Sequence, residues 1–374
     1  MNPHAQAVAR DLCERANDYV RSIAPYQPGK PVSELAREMG LDESRIIKLA
    51  SNENPMGASP RALSAMRSAL DEVARYPDGN GFELKASLAE KFGVAQNQII
   101  LGNGSNDVLE LAARAFLGPG SSAVYARHAF AVYPLAVQAT GATGIEVPAR
   151  EFGHDLPAMA SAIREDTRVI FVANPNNPTG TWHAPDSILT FLRTVPKQAL
   201  VVLDEAYFEY LEPVQRGAAV AWIRDYPNLV VTRTFSKAYG LAGMRVGYGV
   251  ASAEVAELLN RVRQPFNVSN VAQAGAIAAL ADEAFVEASR TLNRRGMQQV
   301  VSGFERLGLS WIASQANFVS VHVGKGMEVF QGLLKLGVIV RPTTGYGMPE
   351  HLRVTIGTAS ENSRFLDALE AVLK

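Results

Sequence analysis

The stretch Val230-Val231-Thr232-Arg233-Thr234-Phe235-Ser236-Lys237-Ala238-Tyr239-Gly240-Leu241-Ala242-Gly243-Met244-Arg245 decides how the chain is read. It opens as a short apolar strand, Leu229 to Val231, of the kind that a parallel sheet buries on both faces. Hydroxyls at Thr234 and Ser236 then flank one lysine, and a loop with Gly240 and Gly243 leads to Arg245. Glycines in such a loop let the backbone turn tightly and come close to a ligand. Hydroxyls with an arginine suit a phosphate, and the lysine beside them suits a Schiff base with an aldehyde. A lysine alone is more often a solvated surface charge, so its surroundings decide.

Two apolar strands upstream end in the same way. Val169 to Ala173 runs into Asn174-Pro175-Asn176-Asn177-Pro178-Thr179-Gly180, and Leu200 to Leu203 runs into Asp204-Glu205-Ala206-Tyr207. Ligands of open α/β sheets bind outside the carboxyl ends of strands. Amide, carboxylate, phenol, lysine and arginine are therefore expected at one sheet edge. Further back, Gln98 to Leu101 reads as a strand, Gly102-Asn103-Gly104-Ser105-Asn106 as a turn and Asp107 to Leu117 as a helix. Free backbone N–H groups and the helix dipole make such a junction an anion site. The turn has the first two glycines of a dinucleotide fingerprint and lacks the third, which favours a simple phosphate over a nucleotide.

Around this centre, alternating strands and helices predict a mostly parallel sheet with helices on both faces. Ahead of it, residues 22–32 hold Pro25, Pro28, Gly29 and Pro31 and read as an extended arm. Ser33 is expected to cap a short helix that packs Leu35 and Met39 and stops at Gly40. A helix capped by Ser59, with Pro60 first, carries Leu63, Met66, Leu70 and Val73 at helical spacing. Arg75-Tyr76-Pro77-Asp78-Gly79 is a turn, and the next helix presents Leu84, Leu88 and Phe92 before Gly93 stops it. After Val250, helical sequence from Ala253 to Arg263 and through Ala272 to Gly296 reads as a long connection to a smaller α+β lobe. There Phe318 to Val323 alternates like a half-exposed strand. Val338 to Arg341 and Leu352 to Ile356 read as two more strands, and Phe365, Leu366, Leu369 and Val372 mark a closing helix. The expected division is 1–48 as an N-terminal arm and part of the small domain, 49–262 as the large domain, and 263–374 as the small domain with its linking helix.

Composition narrows the partners. In 374 residues, 36 Lys plus Arg balance 37 Asp plus Glu, which gives no support for nucleic acid or an anionic membrane. Cys13 is the only cysteine, so no intrachain disulfide is possible and a reducing, cytoplasmic compartment is expected. Met1 to Arg21 has no apolar signal core, and no apolar run is long enough to span a bilayer. The six histidines (His4, His128, His154, His183, His322, His351) lack ligand spacing, so no metal is expected. No Walker loop or serine elbow occurs either.

What remains matches the needs of pyridoxal phosphate: a lysine for its aldehyde, an acid opposite its pyridine nitrogen, donors to its phenolic oxygen and a phosphate cup. Lys237 would be the first, Asp204 the second, and Asn177 with Tyr207 the third. Thr234, Ser236, Arg245 and the Gly104-Ser105-Asn106 turn would form the cup.

These three strand-end motifs resemble those of fold-type I aminotransferases, α/β proteins with a large cofactor-binding domain and a smaller α+β domain. Pro25-Tyr26-Gln27-Pro28-Gly29-Lys30, Leu49-Ala50-Ser51-Asn52-Glu53-Asn54-Pro55, Arg75 to Gly79 and Leu352 to Thr358 narrow the resemblance to the histidinol-phosphate aminotransferases. Aromatic aminotransferases and threonine-phosphate decarboxylases share much of the pattern. The resemblance implies that Lys237, Asp204 and Tyr207 are catalytic and that Phe130 stacks on the cofactor. Family members often have tyrosine at that position and proline where His128 stands. It also implies that Arg353 grips the substrate's acidic group, that Arg341, Tyr26 and Asn54 contact substrate, and that Tyr76 reaches the cofactor phosphate of a partner subunit in a homodimer. The implied reaction moves an amino group between histidinol phosphate and 2-oxoglutarate, with glutamate as the other product. The alternative is an aromatic or broad-specificity aminotransferase. A non-catalytic regulator with an aminotransferase-like domain would need a DNA-binding module, for which residues 1–48 are too short and too rich in proline.

Overall fold

The computed structural model describes Val8 and residues 11–374; His4 and the first residues of the expected arm lie outside them. The apolar runs assemble into a seven-stranded sheet in the order Ile99–Gly102, Gly247–Val250, Leu229–Thr234, Leu200–Asp204, Thr167–Ala173, Ser122–Ala126 and Thr143–Val147. Gly247–Val250 runs antiparallel to both its neighbours, and every other pairing is parallel. Because side chains alternate along a strand, the continuous apolar runs supply two cores at once. Ile170, Val172, Val201, Leu203 and Val231 enter one, and Val169, Phe171, Val202 and Val230 the other. Helices cover both faces, as a parallel sheet requires.

The smaller lobe is a four-stranded antiparallel sheet ordered Arg341–Pro342, His351–Thr355, Phe318–His322, Trp311–Ile312. The helices Glu283–Arg306, Gly326–Lys335 and Ala359–Leu373 back it, around Val300, Phe304, Val319, Val321, Leu333, Phe365 and Leu369. Ile47–Lys48 pairs in parallel with Val338–Ile339, which ties the early chain to this lobe.

Several expectations need correction. The first short helix spans Val32–Met39 with Pro31 at its cap, so Ser33 lies inside it and Met39 is exposed. The helix Pro60–Ala69 buries Met66 and Ala62, whereas Leu63, Leu70 and Val73 are exposed. Their spacing is helical, but the stripe faces away from this chain's core. The sequence from 272 to 296 is two helices, Asn270–Leu280 and Glu283–Arg306, because Asp282 accepts from the Phe285 N–H and starts the second. The first of these packs Ala272, Ala276 and Ala279 into the large-lobe core with Met66. Phe318–His322 is not half-exposed. Val319 and Val321 enter the small-lobe core, while Phe318 packs on Tyr207 and Ala238 of the large lobe. Val338 to Arg341 divides into two strands in different sheets. Among the described residues, no helix is long and apolar enough to cross a membrane.

Candidate active site

Three neighbouring parallel strands, Thr167–Ala173, Leu200–Asp204 and Leu229–Thr234, end at one cavity between the lobes. Its lining includes Asn177, Asp204, Tyr207, Thr234, Ser236, Lys237 and Arg245 from the segments these strands lead into. Ser105, Asn106 and Phe130 line it from the large lobe as well, and Tyr26, Arg341 and Arg353 from the opposite side. The sheet brings distant sequence segments together because parallel neighbours share a direction, and their polar ends then share an edge.

One end of the cavity is built for an anion. The helix Ser105–Phe116 begins there, and its N-cap Gly104 has φ 80°. A Cβ on Gly104 would lie 2.6 Å from Arg245 Nη2, so the arginine can lie over this turn only because glycine is there. Gly104 shapes the turn without itself lining the cavity. Arg245 donates to Ser236 Oγ (3.3 Å), and Thr234 Oγ1 accepts from the Ser236 N–H (3.1 Å). Helix terminus, two hydroxyls and a guanidinium therefore surround one corner.

The cavity also holds a buried carboxylate. Asp204 accepts from Tyr133 Oη (2.9 Å) on one oxygen and from Thr232 Oγ1 (3.1 Å) on the other. Burial raises its pKa, and these hydroxyls with the Ala206 N–H oppose the rise. Sequence reasoning missed both donors. Tyr133 carries no motif, and Thr232 faces Asp204 only because the two residues are partners across adjacent strands.

Lys237 lines the same cavity; its Nζ donates to the Ser51 carbonyl (3.1 Å) and lies 5.9 Å from the centre of the Tyr207 ring. Its pKa is lowered from 10.5 to about 8, first by burial and then by Arg353, with Arg245 and Lys48 adding to the effect. Below about pH 8 both folded and unfolded chains carry the proton, and above 10.5 neither does. Between these limits the unfolded chain binds more protons, so stability of the cofactor-free protein should rise with pH across this window. Thermal unfolding from pH 7.5 to 10 should show wild type gaining on Lys237→Met. Parallel curves would mean that the lysine is not depressed.

Tyr207 Oη accepts from Asn52 Nδ2 (2.9 Å), and the Asn52 backbone N–H donates to Thr355 Oγ1 (2.9 Å), so Asn52 joins the two lobes at the cavity wall. It was not among the expected site residues; its only signal is its place within the 49–55 stretch. Asn177 Oδ1 accepts from Arg353 Nη1 (2.6 Å), a large-lobe to small-lobe contact. The other Arg353 amine donates to Ala50 O (2.6 Å), and its buried Nε has no partner. Both hydrogen bonds of this buried guanidinium go to neutral acceptors, an arrangement that favours an incoming anion. Arg341 donates to Gln27 O (2.6 Å) and lies over the Tyr26 ring at 5.4 Å.

Two expected residues are not brought to this cavity. Asn54 is buried elsewhere, its amide donating to Ala238 O (2.9 Å) and Ser289 Oγ (2.8 Å), which uses both N–H groups for packing. Tyr76 is 83% exposed and stacks on Phe266 with ring centres 4.8 Å apart, away from this chain's own cavity. Phe130 does reach the cavity and sets its ring edge-on to Tyr133. His128 takes φ 60°, and its Nδ1 hydrogen-bonds the Tyr346 carbonyl at 2.5 Å.

Comparison with known proteins gives a consistent result. The family described as aminotransferase class I and II matches residues 44–369. The chain is 60% identical over 365 residues to histidinol-phosphate aminotransferase 2 of Nitrosospira multiformis, covering 97% of this chain and 93% of that one. It is 61% identical to the histidinol-phosphate aminotransferase of Methylobacillus flagellatus over 97% of this chain and 98% of that one. Its fold superposes with a TM-score of 0.87 on the histidinol-phosphate aminotransferase of Sinorhizobium meliloti solved with pyridoxal-5'-phosphate, at 28% identity over 96% of this chain and 97% of that one. An aspartate aminotransferase variant from Thermus thermophilus gives 0.83 at 25% identity, over 95% of this chain and 99% of that one.

Proposed function

The chain belongs to the class I and II aminotransferases, and we propose that it is a pyridoxal-phosphate-dependent enzyme moving an amino group between histidinol phosphate and 2-oxoglutarate, with glutamate as the other partner. Its α/β architecture is that of the fold-type I aminotransferases. The donor set suits the cofactor. A buried carboxylate, a lysine and an anion corner line one cavity. Asp204 would face the ring nitrogen, and Asn177 and Tyr207 the phenolic oxygen. Ser105, Asn106, Thr234, Ser236 and Arg245 would hold the phosphate, and Phe130 would cover the ring.

When bound, pyridoxal phosphate supplies an aldehyde that condenses with amines and a ring that accepts an electron pair from the substrate's Cα. The chain's own residues do the rest. Lys237, depressed to about 8, gives up its proton far more readily than an ordinary lysine, so that Nζ is a free amine from about pH 8 upward. With the cofactor in place it would be the positioned general base that accepts the substrate's Cα proton and donates it back on the far side of the amine nitrogen. Asp204 would face the ring nitrogen as its acidic partner, and the donors Tyr133, Thr232 and the Ala206 N–H favour its anionic form against the rise in pKa that burial causes. The two half-reactions share one site, hence ping-pong kinetics.

The observation that carries the substrate reading is the pair of guanidinium groups, Arg341 and Arg353, lining one cavity. A phosphate dianion engages two such groups, whereas a carboxylate is satisfied by one bidentate arginine. Arg341→Ala should therefore slow the half-reaction with histidinol phosphate about tenfold or more while changing that with glutamate about twofold. Single-turnover spectroscopy of both half-reactions measures this. Equal losses would make Arg341 structural, and wild-type turnover of phenylalanine or tyrosine far above histidinol phosphate would favour the aromatic enzyme instead.

The same reading makes the protein a cytoplasmic homodimer in which Tyr76 of each chain completes the phosphate end of its partner's site. Its support is that Tyr76 does not line its own cavity, while Leu63, Leu70, Val73, Phe82 and Phe266 also leave apolar surface uncovered. Exposed apolar surface of this extent marks an interaction face, and a twofold dimer covers it with its own copy.

A further inference from the structure

The segment joining the helices Ala253–Arg261 and Asn270–Leu280 makes hydrogen bonds that reach well beyond these two helices. Arg263 donates from Nη2 to the Gly79 carbonyl (2.9 Å), from Nη1 to Asn267 Oδ1 (2.7 Å) and from Nε to Asn260 Oδ1 (3.0 Å). Asn267 then donates from Nδ2 to Asp107 Oδ2 (2.8 Å) and Leu101 O (3.1 Å), while its carbonyl accepts from Asn103 Nδ2 (3.0 Å). Asp107 Oδ2 accepts from the Asn103 N–H as well (2.9 Å). The chain of contacts thus starts at the glycine turn Gly102–Asn106, which forms the anion corner, and ends at the turn that carries Tyr76.

Packing follows the same path. Phe266, between Arg263 and Asn267, takes φ 56°, a backbone state that an aromatic residue keeps only when its surroundings impose it. Its ring stacks on Tyr76, and a Cβ on Gly79 would lie 3.1 Å from it, so the turn fits closely against the ring. Arg263 is partly buried, and Asp107 and Asp78 oppose the lowering of its pKa by that burial. Gln273 Nε2 and the Asp78 side chain fix the rest of the turn, through Asp78 O (3.0 Å) and the Phe82 N–H (2.7 Å).

We propose that Arg263 and Asn267 are positioning residues that couple the anion turn of one subunit to the tyrosine that this subunit places in its partner's site. Each phosphate corner of the dimer is then held partly by its own chain and partly through the relay of the other. The proposal rests on the reading that Tyr76 acts in trans. A relay of directed hydrogen bonds through a planar guanidinium has the contiguity that coupling requires, and lysine cannot reproduce the three bonds at once.

The test measures cofactor affinity by absorbance titration of cofactor-free dimers, with the 31P resonance of the bound cofactor as a spectroscopic readout. Wild type, Tyr76→Ala, Arg263→Lys, Asn267→Ser and the Tyr76→Ala/Arg263→Lys double variant are compared, each with its thermal midpoint. Arg263→Lys and Asn267→Ser should each weaken cofactor binding about five- to tenfold and shift the 31P resonance. The double variant should lose less than the product of the single losses, because removing the tyrosine leaves the relay with less to position. Unchanged affinity and resonance in Arg263→Lys and Asn267→Ser would overturn the relay while leaving Tyr76 in trans. So would fully multiplicative losses, or a lowered midpoint with an unshifted resonance. Wild-type affinity in Tyr76→Ala would instead overturn the trans reading on which the relay rests.

Discussion

Lys237→Ala is expected to lose turnover by on the order of 10⁴-fold, the upper end of what a positioned base contributes. Lys48 is another lysine whose charge acts on this position, and its Nζ is engaged by Glu53 Oε1 at 3.0 Å. It does not line the cavity, so no second amine stands ready to take the proton at Cα. Borohydride treatment of the wild-type protein with its cofactor should fix the label to a peptide containing Lys237. A label on another lysine, or a variant within tenfold of wild type, would remove Lys237 from its role.

Much of this site was legible because the chemistry sits at the ends of apolar strands. Asp204, Lys237 and Asn177 each follow a buried run, and a parallel sheet has few other ways to dispose of such ends than to gather them. The same logic could not reach Tyr133 or Thr232. Their bonds to Asp204 depend on a helix approaching one sheet face and on strand register, neither of which leaves a local pattern. Asn54 misled for the opposite reason. It lies beside Asn52 in a recognisable stretch, yet the backbone at Asn52 has φ 56° and the two side chains go to different places, Asn52 to Tyr207 and Asn54 to Ser289.

The fold shows the same division. Periodicity found the helices around Met66 and Leu88, but it could not say whether Leu63, Leu70 and Val73 met this chain or a second one. A helical stripe reports only that one face avoids water, not what covers it. For Phe318–His322, alternation suggested a solvated face where the large lobe lies instead. The Ser320 hydroxyl that reads as polar surface donates to Pro178 O at 2.6 Å, in a buried lobe contact.

Asp204→Asn should cost turnover about 10² to 10³-fold, the range for losing one preorganised electrostatic partner, while leaving cofactor binding largely intact. The substitution keeps the size of the side chain and still accepts one hydroxyl, but removes the charge that a protonated ring nitrogen needs. In the wild type, burial raises the Asp204 pKa, and Tyr133, Thr232 and the Ala206 N–H oppose that rise. Tyr133→Phe should therefore produce a smaller defect in the same direction, because one of three donors is lost and the carboxylate pKa rises. Its kcat profile should also lose activity at a higher pH than wild type on the acid side, since a raised pKa lets the proton return earlier as pH falls. Neither Asp204 nor Tyr133 is among the residues that would hold the phosphate, so cofactor affinity in both variants should change by less than the rate does. A rate in Asp204→Asn within a few fold of wild type would mean that another group supports the ring nitrogen. A parallel collapse of cofactor binding and rate would mean that Asp204 acts by holding the cofactor in place rather than by setting its charge.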